Sequence, residues 1–259
     1  MTNRVFGAGH VLRPVFVQPF RCRNVLIEGI TILNSPMWVI NPVYCTNVTV
    51  RRVTSNSSGP NSDGCDPDSS TDVLIRDCSF SEGDDCLAVK SGQDADGLRV
   101  NIPSQNVVIQ NCVFQDGHGG VTFGSDSSGG IANVFTENCA FNSVNLDSAI
   151  RLKTNPARGG WITNIYVRNC ITKSAATAIH MTMAYTSSSA GNSGTNYPVV
   201  RNLDIRDCAF AAGGVFVQGL DSAHRITDLT IANCRFSTGG SSFFNTNNLT
   251  LLNNKGAGL

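Results

Sequence analysis

One phrase recurs along this chain and leaves it few ways to fold: an Asn or Asp, a short alternating apolar stretch, Asn/Asp-Cys, then an apolar or aromatic residue. It opens at residues 24–27 and 47–50, runs in full at 72–80 (DVLIRDCSF), 106–114 (NVVIQNCVF), 133–141 (NVFTENCAF), 164–172 (NIYVRNCIT), 202–210 (NLDIRDCAF) and 228–236 (DLTIANCRF), and fades at 248–251. About nine copies start roughly 20 to 38 residues apart, too irregular for propeller blades but natural for a coil whose strands are constant and whose loops vary. Within one copy Val107 and Ile109 alternate with Val108 and Gln110, so one face of a strand turns inward. Asn111 suits a bend, because Asn tolerates the left-handed backbone region better than other non-Gly residues. Cys112 and Phe114, again two apart, then face inward on a second strand. Copies stacked like on like at about 4.8 Å make an all-β, single-stranded parallel β-helix of about nine coils.

The repeat changes the meaning of the 10 cysteines. Cys78, Cys112, Cys139, Cys170, Cys208 and Cys234 hold one position of it and read as an internal ladder of small hydrophobes. A metal site is the alternative, but no Cys-x-x-Cys pair and no nearby His supports it. Cys22, Cys45, Cys65 and Cys86 lie outside the ladder, where a disulfide and a free buried thiol both stay open.

Lys plus Arg equal Asp plus Glu at 19 each and only 15% of residues are charged, so no global field points to nucleic acid or an anionic membrane. No apolar run is long enough for a membrane span, and residues 1–4 carry no apolar signal region, so export cannot be read here. No linker or composition break interrupts residues 1–259, which read as a single catalytic unit and a monomer. The chain reads as starting on a coil already in progress, around Gly9 to Phe20, with no amphipathic helix to cover the open core.

Four segments break the apolar rhythm with charge: residues 61–66 (NSDGCD), 83–86 (GDDC), 117–120 (GHGG) and 151–153 (RLK). Each follows a repeat start by roughly 12 to 18 residues, so stacking should align them in one groove. Asp84 and Asp85 would point to opposite faces of a strand unless a bend, which Gly83 permits, intervenes. With Asp63 one coil away, three carboxylates converge, and repulsion should keep a proton on at least one of them. Such a set suits glycoside hydrolysis, which needs one protonated acid and one ionised base. His118, Arg151 and Lys153 add donors fit for a substrate carboxylate. Taken singly, each motif has a bland reading: a solvated or calcium-binding acidic turn, a turn histidine, a solvent-facing strand.

In this order the motifs resemble those of the polygalacturonase family of glycoside hydrolases. NSDGCDP at 61–67 is similar to its Asn-Thr-Asp-Gly motif, GDDC to its paired aspartates, GHG to its Gly-His-Gly and RLK to its Arg-x-Lys. The flanking text NVLIEGITILNSPMWVINPVYCTNVTV (24–50), LAVKSG (87–92) and RLKTNPARGG (151–160) agrees, so the resemblance covers roughly residues 10–185. It implies a right-handed, pectin-lyase-like β-helix that hydrolyses α-1,4-galacturonan (pectin) with inversion and without metal or other cofactor. By position Asp84 is then the general acid, Asp63 and Asp85 hold and deprotonate water, and His118 supports the acid. Asn61 orients the cluster, while Arg151, Lys153 and, more weakly matched in AIHMTMAY, Tyr185 contact the sugar. Ser62 stands where the family has Thr, and the family's earlier coils and capping helix have no counterpart before Arg13-Pro14, which reads as an N-terminal truncation. The substrate implies an extracellular or periplasmic site of action. Competing readings are a hydrolase of decorated pectin (rhamnogalacturonan or xylogalacturonan), a calcium-dependent lyase, and an inactive galacturonan-binding β-helix.

Overall fold

The coils are held in register by side-chain ladders at their corners. The repeat's opening residues, Asn24, Asn47, Asp72, Asn106, Asn133, Asn164, Asn202, Asp228 and Asn248, all sit in the left-handed region with φ between 51° and 58°. Their amides bond coil to coil: Asn133 donates to Asn106 at 3.2 Å, Asn164 to Asn133 at 2.8 Å and Asn202 to Asn164 at 2.7 Å. The left-handed conformation is tolerable for a short polar side chain that bonds locally, and not for the apolar residues around it. The expected bend at Asn111 (φ 55°) recurs at Asp77, Asn138, Asn169, Asp207, Asn233 and Asn253. The sequence pattern marked only this second corner; the first, inside the strand, is an additional kink.

The structure is a computed structural model describing residues 5–6, 10–11, 13–186, 193–211, 213–256 and 258–259. Among these, three parallel sheets of nine, eight and six strands form a right-handed β-helix, with a separate antiparallel pair, Val5–Phe6 and His10–Val11. The nine-stranded sheet runs from Arg23–Glu28 to Thr246–Leu252, the eight-stranded one from Thr31–Leu33 to Arg235–Phe236, and the six-stranded one from Leu87–Val89 to Ser241–Phe244. Single bridges Val17 to Ile40, Ile40 to Cys65 and Cys65 to Leu87 extend the last sheet toward the N-terminus. Gly9, at the start of the expected first coil, lies outside the described residues. The all-β expectation needs one amendment: a seven-residue helix, Asp94–Val100, sits between Leu87–Val89 and Ser104–Gln110.

Register puts like on like in the core. Val107 pairs with Val134, which pairs with Ile165, and Phe114 lies between Phe80 and Phe141 with ring centroids 6.0 and 5.2 Å away. The six ladder cysteines are buried, and each thiol faces the carbonyl two residues before it, as Cys112 does Gln110 at 3.4 Å. All ten cysteines are free thiols, which settles the open pairings: Cys45, Cys65 and Cys86 are buried and Cys22 is exposed. Cys22 and Cys45 belong to a further ladder hidden by a change of residue. The Cys22 N–H faces the Cys45 thiol, the Cys45 N–H donates to Ser70 Oγ at 3.0 Å, and the Ser70 N–H to Ser104 Oγ at 3.1 Å.

Glu82 breaks the apolar rule. It follows Phe80 on the inward face of Ser79–Glu82, is 4% exposed, and neither carboxyl oxygen has a hydrogen-bond partner among the described residues. Burial, helped by the charge of Asp63, pushes its pKa from 4.5 up to about 8. Folding therefore keeps this group neutral while the unfolded chain ionises it above 4.5, so its contribution is complete below pH 4.5 and lost as pH rises toward 8. Urea midpoints of the parent and of Glu82→Gln should accordingly agree near pH 4 and diverge in favour of Glu82→Gln as pH approaches 8. Parallel midpoints across that range would show that Glu82 is not held neutral.

Candidate active site

Parallel register gathers the four polar segments. Because Cys65 pairs with Leu87, Leu87 with Val121 and Val121 with Ile150, the residues two before each of them, Asp63, Asp85, Gly119 and Ser148, occupy one row. The residues one and three after Ile150 are Arg151 and Lys153, on the outward face of Leu146–Lys153, with Lys153 in line with Lys90 two coils earlier. His118 lies on the strand Gly117–Gly124, not in a turn, and its N–H bonds to the Asp84 carbonyl at 3.0 Å. Asp63, Asp84, Asp85, His118, Asn61, Arg151, Lys153 and Tyr185 all border a single groove: seven of them line its cavity of about 640 Å³, and Asp85 lies beneath.

Two glycines make the approach possible. A Cβ on Gly83 would stand 2.4 Å from the Gly59 carbonyl of the preceding coil, so this position, where the expected bend begins, also needs a close approach that only glycine allows. On Gly119 a Cβ would lie 2.1 Å from Thr122 Oγ1 and 2.8 Å from Asp85 Oδ1. Asp84 and Asp85 sit in the bend between Ser79–Glu82 and Leu87–Val89, and both carboxylates reach the groove side. Oxygens of Asp63, Asp84 and Asp85 fall within 4.8 Å of one another.

Such a cluster could be taken for a cation site, yet each carboxylate already has a cationic partner. Asp85, fully buried, accepts from Arg151 Nη1 at 3.2 Å and from Lys153 Nζ at 2.7 Å. Asp84 Oδ1 meets His118 Nδ1 at 3.0 Å, and Asn61 Nδ2 lies 3.4 Å from its other oxygen. Asn61 is in turn held by Arg13, whose Nη2 donates to Asn61 Oδ1 at 2.6 Å. Tyr185 sets its ring 5.4 Å from Lys153 Nζ.

Three groups of this neighbourhood were not singled out from the sequence. Lys90 donates to Asp63 Oδ2 at 3.0 Å and lies 3.2 Å from Asp66 Oδ2, and Trp38 lays its ring 4.2 Å from the same Nζ. The signal was present: a lone Lys closing the apolar run of LAVKSG, two residues short of a glycine, one coil from an aspartate pair.

Electrostatics redistribute the proton that repulsion was expected to retain. Burial, reinforced by Asp84 and Asp85, raises the pKa of Asp63 against the pull of Lys90. Burial and the adjacent Asp63 push Asp66 higher still. Asp84 goes the other way: burial alone would raise it, but the His118 hydrogen bond and the Lys153 charge hold it at about 2. The same bond lifts His118 above 6.5 despite partial burial. In the free protein, then, the Asp84–His118 pair keeps its proton on the imidazole.

The whole chain has relatives. The sequence profile of glycosyl hydrolases family 28 matches residues 8–256, well beyond the stretch that carried the motif resemblance. A probable polygalacturonase of Vitis vinifera is 36% identical over 199 residues, which are 75% of this chain and 40% of that protein. A hyperthermoactive exopolygalacturonase from Thermotoga maritima superposes with a TM-score of 0.81 at 36% identity, covering 95% of this chain and 57% of the other. The polygalacturonase of Erwinia carotovora ssp. carotovora shares the fold, with a TM-score of 0.69 at 18% identity over 92% of this chain and 60% of the other. This chain thus spans about two fifths to three fifths of the length of these proteins. It belongs to family 28 of the glycosyl hydrolases.

Proposed function

We propose that this chain hydrolyses α-1,4-galacturonosidic bonds of pectic galacturonan, with inversion at the anomeric carbon, acting outside the cell where that polymer lies. The observation that carries the reading is the meeting, in one groove, of three carboxylates within 4.8 Å with a lysine and an arginine two coils on. Arg151, Lys153 and Tyr185 receive the sugar carboxylate: Arg151 spends one of its donors on Asp85 and keeps the rest for the groove. The proton held by the His118–Asp84 pair passes through Asp84 to the leaving oxygen as the substrate displaces water and the pair loses its solvation. Asp63 and Asp85 hold the attacking water, and Asp63 takes its proton. Both oxygens of Asp85 are occupied by cations and one of Asp63 is, which makes each a poor nucleophile but a good anchor for water. Every charge needed by the reaction is supplied by side chains.

Replacing Asp84 by Asn keeps the shape and removes the proton carrier, so release of reducing ends from polygalacturonate should fall by about 10³-fold. Unchanged release would contradict the assignment, and unsaturated, ultraviolet-absorbing products abolished by a chelator would establish β-elimination instead. The dependence on pH should be bell-shaped. Its acid limb reports ionisation of Asp63, whose pKa is raised; its alkaline limb reports loss of the proton from the His118–Asp84 pair, above 6.5. In His118→Asn the proton must sit on Asp84 itself, so the alkaline limb should move to lower pH while the acid limb stays. An alkaline limb that does not move in that variant would remove His118 from the proton path.

A further inference from the structure

Lys90 is a nearly buried cation at the groove, and its contacts are to carboxylates of the protein itself. Its backbone is pinned on both sides, the N–H donating to the Pro67 carbonyl at 2.9 Å and the carbonyl accepting from Ser69 at 3.0 Å and from Ser104 Oγ at 2.6 Å. The residue is 7% exposed, and the Trp38 ring packs 4.2 Å from Nζ, both side chains bordering the groove. The ammonium has two carboxylates, Asp63 Oδ2 at 3.0 Å and Asp66 Oδ2 at 3.2 Å. Asp66 is itself fixed, accepting from the Ala88 N–H at 3.2 Å. One positive charge is thus shared by two fully buried aspartates, and burial of an unpaired carboxylate is strongly unfavourable.

We propose that Lys90 is a positioning residue for Asp63, its ammonium, packed against Trp38, holding Asp63 as the ionised, correctly turned base, with Asp66 competing for the same charge. The proposal rests on the reading that Asp63 activates water. Its logic is one of supply. Arg151 and Lys153 bond to Asp85 and His118 bonds to Asp84, which leaves Lys90 as the cation in direct contact with Asp63 among the described residues. The charged groups acting on Asp63 include Lys90 and Lys153, which favour its ionisation, and Asp84 and Asp85, which oppose it, and Asp66 is in direct interaction with it. Those acting on Lys90 are Asp63, Asp66, Asp85 and Asp126, all favouring its protonated form against burial. Trp38 matters because a charge screened from water acts more strongly on its neighbour.

The test measures Asp63 both with and without turnover. In protein carrying carboxyl-¹³C aspartate, the Asp63 resonance, identified by its loss in Asp63→Asn, is titrated in the parent, in Lys90→Met and in Asp66→Asn. Its midpoint should rise by at least ~1 pH unit in Lys90→Met and fall in Asp66→Asn. On polygalacturonate the acid limb of the kcat profile should move the same two ways, with kcat at low pH down roughly 10²-fold in Lys90→Met, KM within about twofold and the alkaline limb unmoved. An unmoved Asp63 midpoint in either variant overturns the proposal, as does a rise in KM with kcat intact, which would make Lys90 a ligand of the sugar. If Lys90→Met does not fold, the direction of the Asp66→Asn shift decides alone. Absence of hydrolysis by the parent would overturn the functional reading, while the titration still judges the link between Lys90 and Asp63.

Discussion

Everything in this molecule depends on one constraint: successive coils must stack in parallel register, so that a residue's neighbours are its counterparts one turn before and after. Backbone hydrogen bonds between strands set the spacing, but they tolerate slippage; the left-handed Asn and Asp corners do not. Each corner residue kinks the strand at the same place and most first-corner amides bond to the corner of the preceding coil, so a coil displaced by one residue would lose both the kink and the bond. The apolar ladders follow, with Val on Val, Phe on Phe and Cys on Cys. So does the groove. Asp63 meets Asp85 because Cys65 meets Leu87, and Arg151 and Lys153 reach Asp85 beside Gly119, where a Cβ would stand 2.8 Å from Asp85 Oδ1 and 3.2 Å from Arg151 Cδ.

The groove concentrates charges that water would otherwise solvate. Three carboxylates within 4.8 Å would repel one another severely in a medium of low dielectric constant, and the structure answers with a cationic partner for each. The division of labour is uneven, with two cations on Asp85, one shared by Asp63 and Asp66, and a titratable imidazole on Asp84. Such asymmetry is what separates roles among chemically identical groups. The carboxylate clamped by Arg and Lys has both oxygens engaged, the one beside His118 exchanges a proton with it, and the one balanced between burial and Lys90 is poised.

The repeat made the architecture readable because stacking converts a one-dimensional pattern into three dimensions with few free choices. Coil number, inward positions and the common phase of the four polar segments all followed from it. What escaped has physical reasons. Lys90 was hidden because its chemistry arises from packing, against Trp38 and between two aspartates of another coil, none of which a single strand reveals. The Cys22–Cys45–Ser70–Ser104 ladder was obscured by a switch from thiol to hydroxyl. The direction of the Asp84 shift depended on the position of one imidazole nitrogen, and repulsion between carboxylates pointed the other way. The helix Asp94–Val100 is too short to show a periodic face.

The central claim is that water, held by buried carboxylates, attacks the sugar directly while the Asp84–His118 pair supplies the leaving proton. The carboxylates stand closer than the about 6.5–9.5 Å at which inverting glycosidases more commonly hold theirs, so the stereochemistry of the product is the discriminating observable. Proton NMR of the anomeric signals during the first minutes of polygalacturonate hydrolysis tests it most directly. The account predicts that the β-hemiacetal appears first and relaxes to the equilibrium mixture by mutarotation. Initial appearance of the α-hemiacetal would mean a covalent sugar intermediate on Asp63 or Asp85 and would contradict the account.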